Sequence, residues 1–161
     1  VIVLVDQSGS MAASLMHAAV SASILSGLPG IGVRLILFDT SLVDLSHLAS
    51  DPVEVLLTAQ LGGGTNIAQA MKHAEGLVSQ PTRTVVALIS DFEEGGSVSA
   101  LLGSVRRLAS SGVTLLGLAA LSAEGEPWYD VSTAGRLVAA GMPVAAMTPD
   151  RFAEWLAEVM A

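Results

Sequence analysis

Three short stretches of the sequence are rich in side-chain oxygens and contain neither lysine nor arginine: DQSGS at residues 6–10, GGGTN at 62–66 and SDFEEGG at 90–96. The candidate oxygen donors in them are Asp6, Ser8, Ser10, Thr65 and Asp91. Such hard ligands favour Mg²⁺, Mn²⁺ or Ca²⁺ over softer metal ions. Three neutral hydroxyls and two carboxylates leave a divalent cation short of ligands, so we expect the ion to accept a carboxylate from another molecule.

The metal interpretation depends on the three stretches together. Asp6, Ser8 and Ser10 alternate, so all three side chains can point into one pocket, and the glycines before Thr65 permit close backbone approach. Each serine or aspartate taken alone is an ordinary helix cap. We expect Mg²⁺ as the bound ion, with Mn²⁺ and Ca²⁺ as alternatives.

Continuous apolar runs alternate with helical patterns along the chain. Strands are predicted at residues 1–5, 33–38, 84–89, 113–119 and near 144–147, with a short, possibly antiparallel edge strand at 41–46. Helices are predicted at 11–26, 51–60, 66–79, 98–109 and 131–140, and from Thr148 onward, where Thr148 is the expected cap. This order predicts a doubly wound α/β fold with a mostly parallel, Rossmann-like sheet of about six strands and helices on both faces.

The predicted sheet would bring the three stretches together. Ligands of such sheets bind beyond the carboxyl ends of the strands, and all three stretches fall at that end. Asp6 and Asp91 follow two of the strands. Because neighbouring strands lie about 5 Å apart, both carboxylates can reach one ion.

Composition excludes several classes of partner. The chain has 161 residues, 52% of them hydrophobic, and a formal net charge of −8. Nucleic acids and anionic membrane surfaces require basic patches, which seven scattered Lys and Arg residues do not form. The lack of cysteine excludes disulfides, thiolate metal sites and a cysteine nucleophile, and it fits a reducing compartment.

Targeting signals are not apparent in the sequence. The most apolar window, residues 20–38, is interrupted by Pro29 and Arg34 and so does not suit a membrane span. We expect a cytoplasmic protein. The sequence begins inside a strand at Val1 without an initiator methionine, so we also expect one domain over residues 1–161 that belongs to a longer protein.

The three stretches in this order resemble the metal-ion-dependent adhesion site of von Willebrand factor type A (VWA) domains, and the resemblance covers essentially the whole chain. It implies that Ser8, Ser10 and Thr65 contact the ion directly. It also implies that Asp6 and Asp91 act directly or through water, and that a protein partner completes the shell with a Glu or Asp. The implied function is metal-dependent protein–protein interaction without catalysis.

The C-terminal part resembles a narrower group. The segments EPWYD (126–130) and GMPVAAMTPDRFAEWL (141–156) are similar to bacterial intracellular VWA proteins that accompany MoxR-type AAA+ ATPases. This resemblance implies such an ATPase as a partner.

Two alternatives belong to other functional classes. A Mg²⁺-dependent phosphatase of the haloacid-dehalogenase type also begins with a strand that ends in aspartate. Such a phosphatase needs an acid at the position that Ser8 occupies here, and a hydroxyl is a poor proton donor. It also needs a lysine near its last acidic motif, and the segment around Asp91 offers none. A structural subunit whose metal never exchanges ligands is the other alternative, and it stays open.

Several further residues have two interpretations. Glu93 and Glu94 are either solvated loop charges or groups that tune access to the ion. Trp128 and Tyr129 either contact a partner or pack against the final helix. The histidines, which lie away from the three stretches, are expected at the surface: His17, His47 and His73.

Overall fold

The protein folds around one twisted sheet that helices cover on both faces. The computed structural model describes residues 1–60, 63–122 and 124–160. Gly62 of the GGGTN stretch, the preceding Leu61, and Ala123 lie outside these ranges. The strands are β1 (Ile2–Asp6), β2 (Arg34–Phe38), β3 (Leu42–Asp44), β4 (Val85–Ser90), β5 (Thr114–Leu121), β6 (Pro127–Trp128) and β7 (Val144–Ala145).

The strand order places β1 and β4 side by side at the centre. The sheet runs β3-β2-β1-β4-β5-β6, and β7 pairs with β5 beside β6. β1, β2, β4, β5 and β7 run parallel to one another, whereas β3 is antiparallel to β2 and β6 is antiparallel to β5. The predicted doubly wound, mostly parallel α/β fold is confirmed, and β3 is the predicted antiparallel edge strand.

Helices connect the strands and begin at recognisable caps. They are α1 (Ala12–Ser26), α2 (Pro52–Thr58), α3 (Ile67–Leu77), α4 (Val98–Ser111), α5 (Val131–Ala140) and α6 (Pro149–Val159). The side chains that accept a hydrogen bond from the first turn belong to Asp51, Asn66, Ser97 and Asp130. A 3-10 turn at Gly9–Met11 precedes α1. None of the helices in the described part of the chain combines the length and apolar character of a membrane span.

The apolar runs of the strands reflect burial on both faces. In β1, Ile2 and Leu4 pack into a core that includes residues of α3, α4 and α5, whereas Val3 and Val5 pack into a core with residues of α1, α2 and α6. Alternate side chains of a strand point to opposite faces, so a strand covered on both sides needs an unbroken apolar run. This arrangement leaves the carboxyl ends of β1 and β4 adjacent, which positions the site described below.

Candidate metal centre

Asp6 is the last residue of β1, and its carboxylate is fully buried. Its Oδ1 accepts a hydrogen bond of 2.9 Å from the backbone N–H of Ser8. Its Oδ2 accepts one of 2.8 Å from the hydroxyl of Ser90, which ends the neighbouring strand β4. Both oxygens are therefore fixed in direction by the two central strands.

Ser90 is a site residue that sequence reasoning did not identify. We call the stretches at residues 6–10, 62–66 and 90–96 the first, second and third loops. The Ser90 hydroxyl donates to Asp6 and accepts the backbone N–H of Phe92 at 2.9 Å, so it joins the first loop to the third. A signal was present, because Ser90 is a polar residue at the end of a strand that is buried throughout. A buried hydroxyl needs partners, and the nearest polar groups at that end of the sheet are those of the site.

Ser8, Ser10 and Asp91 form a second set of contacts. The Ser8 and Ser10 hydroxyl oxygens are 3.3 Å apart, and the Ser10 hydroxyl donates to Oδ2 of Asp91 at 2.9 Å. Asp91, which is 1% exposed, also accepts the N–H of Glu93 through Oδ1 at 3.1 Å. Four of the five predicted donors are therefore linked, directly or through the Ser8 backbone, in a network that joins residues 6–10 to residue 91.

Thr65 contacts the third loop through its backbone. Its carbonyl oxygen accepts the N–H of Gly95 at 3.0 Å, so the second loop lies against the third. A Cβ atom at position 95 would lie 2.6 Å from that oxygen, so the contact requires glycine there. Among the described residues, no hydrogen bond links the Thr65 side chain to the other four predicted donors.

The two glutamates of the third loop differ from one another. Glu93 is exposed, as expected of a solvated charge. Glu94 is half-buried, and its carboxylate accepts the N–H groups of Ile67 and Ala68 in the first turn of α3. The interpretation of Glu94 as a solvated charge is therefore wrong, because the unpaired amides of a helix start attract a carboxylate.

Aromatic packing anchors the third loop through Phe92 and Tyr129. Phe92 is fully buried and adopts a left-handed backbone conformation, with φ of 62°. The ring of Tyr129 meets Phe92 edge-on, with centroids 6.1 Å apart, and 38% of Tyr129 remains exposed. It is thus partly exposed, and its ring contact is with the third loop. In the final helix, Phe152 stacks with Trp155 instead.

Two buried carboxylates at this site lack a basic neighbour. No Lys, Arg or His nitrogen of the described residues lies within 4 Å of Asp6 or Asp91, and the ion pairs found join Arg34 to Asp44, Arg107 to Glu75 and Arg151 to Glu154. Burial raises the pKa of Asp6 above its ordinary value, and the charge of Asp91 raises it further. The hydrogen bonds from Ser8 and Ser90 oppose that rise.

The donor set fits a hard divalent cation. Two uncompensated buried carboxylates are costly unless a positive charge accompanies them. The described residues contain no group of three or more His, Cys, Asp or Glu arranged for a metal, so a cation here would complete its shell with neutral oxygens such as hydroxyls and water. Serine and threonine oxygens are hard donors and suit Mg²⁺, Mn²⁺ or Ca²⁺.

Sequence comparison identifies a protein family and a relative that this chain resembles over almost its whole length. Residues 1–156 match the model of a family described as VWA domain containing CoxE-like protein. The chain is 52% identical over 157 residues to Uncharacterized protein YehP of Escherichia coli (strain K12), a match that covers 98% of this chain and 42% of that protein. The chain therefore spans less than half the length of this relative.

Solved structures share the fold at low sequence identity. An aerotolerance-related membrane protein from Bacteroides fragilis, crystallised with multiple mutations to serine, superposes with a TM-score of 0.72 at 15% identity, covering 99% of this chain and 96% of that one. The manganese-loaded TRAP protein of Plasmodium vivax gives 0.71 at 18% identity, covering 99% of this chain and 72% of that one.

Proposed function

The chain belongs to the family of CoxE-like proteins that contain a VWA domain, and on that premise we propose that it is a metal-dependent protein interaction module. In this proposal Asp6, Ser8, Ser10, Thr65 and Asp91 hold a divalent cation, with Mg²⁺ as the physiological ion. The bound cation supplies a positive charge with an incomplete ligand shell, to which a partner's Asp or Glu binds.

One observation carries the proposal: Asp6 and Asp91 are buried together without a basic neighbour among the described residues. A cation at this point would offset both charges. The manganese reported for the structurally similar TRAP protein supports a divalent ion in this fold, although identity to that protein is only 18%.

Hydrogen bonds from surrounding residues orient the side-chain oxygens of the proposed metal ligands. Ser90 holds Asp6 in place. The Ser10 hydroxyl donates its proton to Asp91 and accepts a hydrogen bond from the Ser8 hydroxyl, which leaves one lone pair of Ser10 to face an ion. Oxygens held in position by such bonds lose little freedom when a ligand binds.

The function proposed is binding and not catalysis. Ser8 stands two residues after Asp6, where a haloacid-dehalogenase-type phosphatase needs its general acid, and a serine hydroxyl is a poor proton donor at neutral pH. We further propose that the partner is a MoxR-type AAA+ ATPase and that the complex is cytoplasmic. This finer part depends on the resemblance of residues 126–130 and 141–156.

The test is calorimetric titration of the chelated 161-residue chain with Mg²⁺, Mn²⁺ and Ca²⁺, with and without acetate as a probe for the partner carboxylate. We expect saturable 1:1 binding that acetate strengthens and that Asp6→Ala and Asp91→Ala each abolish. Metal binding that persists in each of the two variants would contradict the proposed site. The absence of metal binding by the unmodified chain would contradict it as well.

A partner experiment separates a binding module from a structural metal site. Thr65→Ala is expected to abolish metal-dependent capture of the ATPase while the domain stays folded. If Thr65→Ala lowers stability but leaves capture unchanged, the metal is structural and the proposed function is wrong.

A further inference from the structure

Glu94 accepts three hydrogen bonds, two of which join the third loop to the start of α3. Its Oε1 accepts the N–H of Ile67 at 2.9 Å and the N–H of Gly96 at 3.0 Å, and its Oε2 accepts the N–H of Ala68 at 2.7 Å. Its two partners in α3 lie 27 and 26 residues away in the sequence. One side chain therefore connects two loops that carry different proposed metal ligands.

The next residue continues the same connection. Gly95 donates its N–H to the carbonyl oxygen of Thr65, and the space beside it is too small for a Cβ atom. We call Glu94 and Gly95 together the loop latch. The loop latch holds residues 65–68 against residues 94–96 by three hydrogen bonds. A fourth bond, from the Gly96 N–H to Glu94, lies within the third loop and orients the carboxylate.

The loop latch joins the segment that carries Thr65 to the loop that carries Asp91. Asp6, Ser8, Ser10 and Asp91 are joined through their own hydrogen bonds, whereas the Thr65 side chain has no such bond to them among the described residues. Thr65 is two residues before Ile67, and Asp91 is three residues before Glu94. The loop latch is therefore a direct contact between the backbone segment that carries Thr65 and the loop that carries Asp91.

Capping of α3 alone does not require Glu94. Asn66 already caps this helix, because its side chain accepts the N–H of Gln69 at 3.0 Å. We propose that Glu94 is a positioning residue that fixes Thr65 relative to Asp91 and thereby sets the affinity for the metal ion. This inference rests on the proposed function.

The neighbouring Glu93 offers a matched control. Both residues are glutamates of the same loop, but Glu93 is exposed and its carboxylate accepts no hydrogen bond from the described residues. Glu93→Gln and Glu94→Gln each remove one negative charge near the ion, and only Glu94→Gln disturbs the latch. Glu94→Asp keeps the charge and shortens the side chain, so it separates position from electrostatics.

The experiment measures the Mn²⁺ dissociation constant of each variant by calorimetry, and amide hydrogen exchange at Ile67 and Ala68 in the metal-free chain. Loss of a residue that orients metal ligands costs about 10- to 100-fold in affinity. We expect a loss in that range for Glu94→Gln and Glu94→Asp, with faster exchange at both amides, and a loss below about threefold for Glu93→Gln. Glu94→Asp also serves if Glu94→Gln does not fold.

Two results would overturn the inference in different ways. If the Glu94 variants exchange faster at Ile67 and Ala68 but bind Mn²⁺ as tightly as Glu93→Gln does, Glu94 only caps the helix. If the unmodified chain does not bind Mn²⁺ at all, the proposed metal site itself is wrong, and the positioning role is wrong with it.

Discussion

At the scale of single residues, the charge of Asp6 is the most informative feature. The carboxylate is buried beside Asp91, and its pKa is raised by burial and by that neighbour. Hydrogen bonds from Ser8 and Ser90 offset this rise in part. A folded-state pKa above the unfolded value means that ionised Asp6 opposes folding at neutral pH. The residue therefore reduces the stability of the metal-free domain, a cost that a bound cation would offset.

Replacing Asp6 by asparagine should change stability and binding in opposite directions. Asparagine keeps the shape of the side chain and an acceptor for the Ser8 N–H, but it removes the buried charge. We expect Asp6→Asn to unfold at a higher temperature than the unmodified chain in chelator, and to lose more than about 100-fold in metal affinity, above the range for outer-shell residues. Thermal unfolding with EDTA and with Mg²⁺ tests both effects, and a metal-free variant less stable than the unmodified chain would contradict this account.

The spatial neighbourhood of four donors was predictable, and so in principle was the support that Ser90 gives to Asp6, but the role of Glu94 was not. Asp6 and Asp91 each follow a continuous apolar run, and parallel strands bring such positions to one edge of the sheet. Glu94, by contrast, bonds to amides 26 and 27 residues away, and no local pattern marks such a contact. Whether Thr65 joins the donors through its side chain stays a prediction.

At the scale of elements, four helices follow the short-range rule for side-chain caps, whereas α1 and α6 begin without a capping bond from a side chain. Asp51, Asn66, Ser97 and Asp130 each accept a hydrogen bond from the first turn of the helix they precede. Thr148 occupies the same position before α6, but its hydroxyl donates to Asp150 at 2.6 Å and makes no capping bond to the backbone. The predicted capping bond of Thr148 is therefore absent, because a nearby carboxylate competes for the hydroxyl.

The contrast between Asp130 and Thr148 predicts different costs of truncation. Asp130 accepts the N–H groups of Ser132 and Thr133, and Asp130→Ala should cost about 1 kcal/mol at pH 7, the usual value for a lost cap. Thr148→Ala should cost less than about 0.5 kcal/mol, as for other surface positions. Urea unfolding of both variants measures the difference, and equal costs would contradict it.

The cost of Asp130→Ala should also depend on pH. Hydrogen bonds from the Thr133 hydroxyl and N–H, together with that of Ser132, hold the pKa of Asp130 below its ordinary value. The stability contributed by the ionised cap is therefore present above the unfolded pKa of about 3.9 and is lost as the pH falls through the folded pKa. Repeating the urea series at pH 7 and near pH 3 should show the cost of the substitution shrinking in acid.

Element types were more predictable than the shortest pairings. The four longer apolar runs and the helical patterns gave elements whose ends shift by a few residues, because ends depend on caps and pairing as well as on periodicity. β6 is not among the strands that the sequence predicts. It consists of Pro127 and Trp128, which pair with Leu121 and Ala120, and two residues carry no periodicity from which a strand can be predicted.

At the scale of the whole molecule, the sheet order explains why the site lies where it does. β1 pairs with β2 on one side and with β4 on the other, so Asp6 and Ser90 end adjacent strands. The alternation of strands and helices predicts the class of fold, but not which strands become neighbours. That order depends on packing between distant parts of the chain, such as α1 with both α2 and α6 in one core.

Metal binding should stabilise the whole domain by an amount that can be calculated in advance. A ligand that binds only the folded state contributes about 2.7 kcal/mol at 100 times its dissociation constant. For a chain of this size each kcal/mol raises the unfolding temperature by about 2–4 °C, so Mg²⁺ at that concentration should raise it by about 5–10 °C. Because the net charge is −8, divalent ions also screen the surface without specific binding. NaCl at matched ionic strength, together with Asp91→Ala, isolates the site. A shift that persists in Asp91→Ala would place the ion elsewhere on this acidic surface.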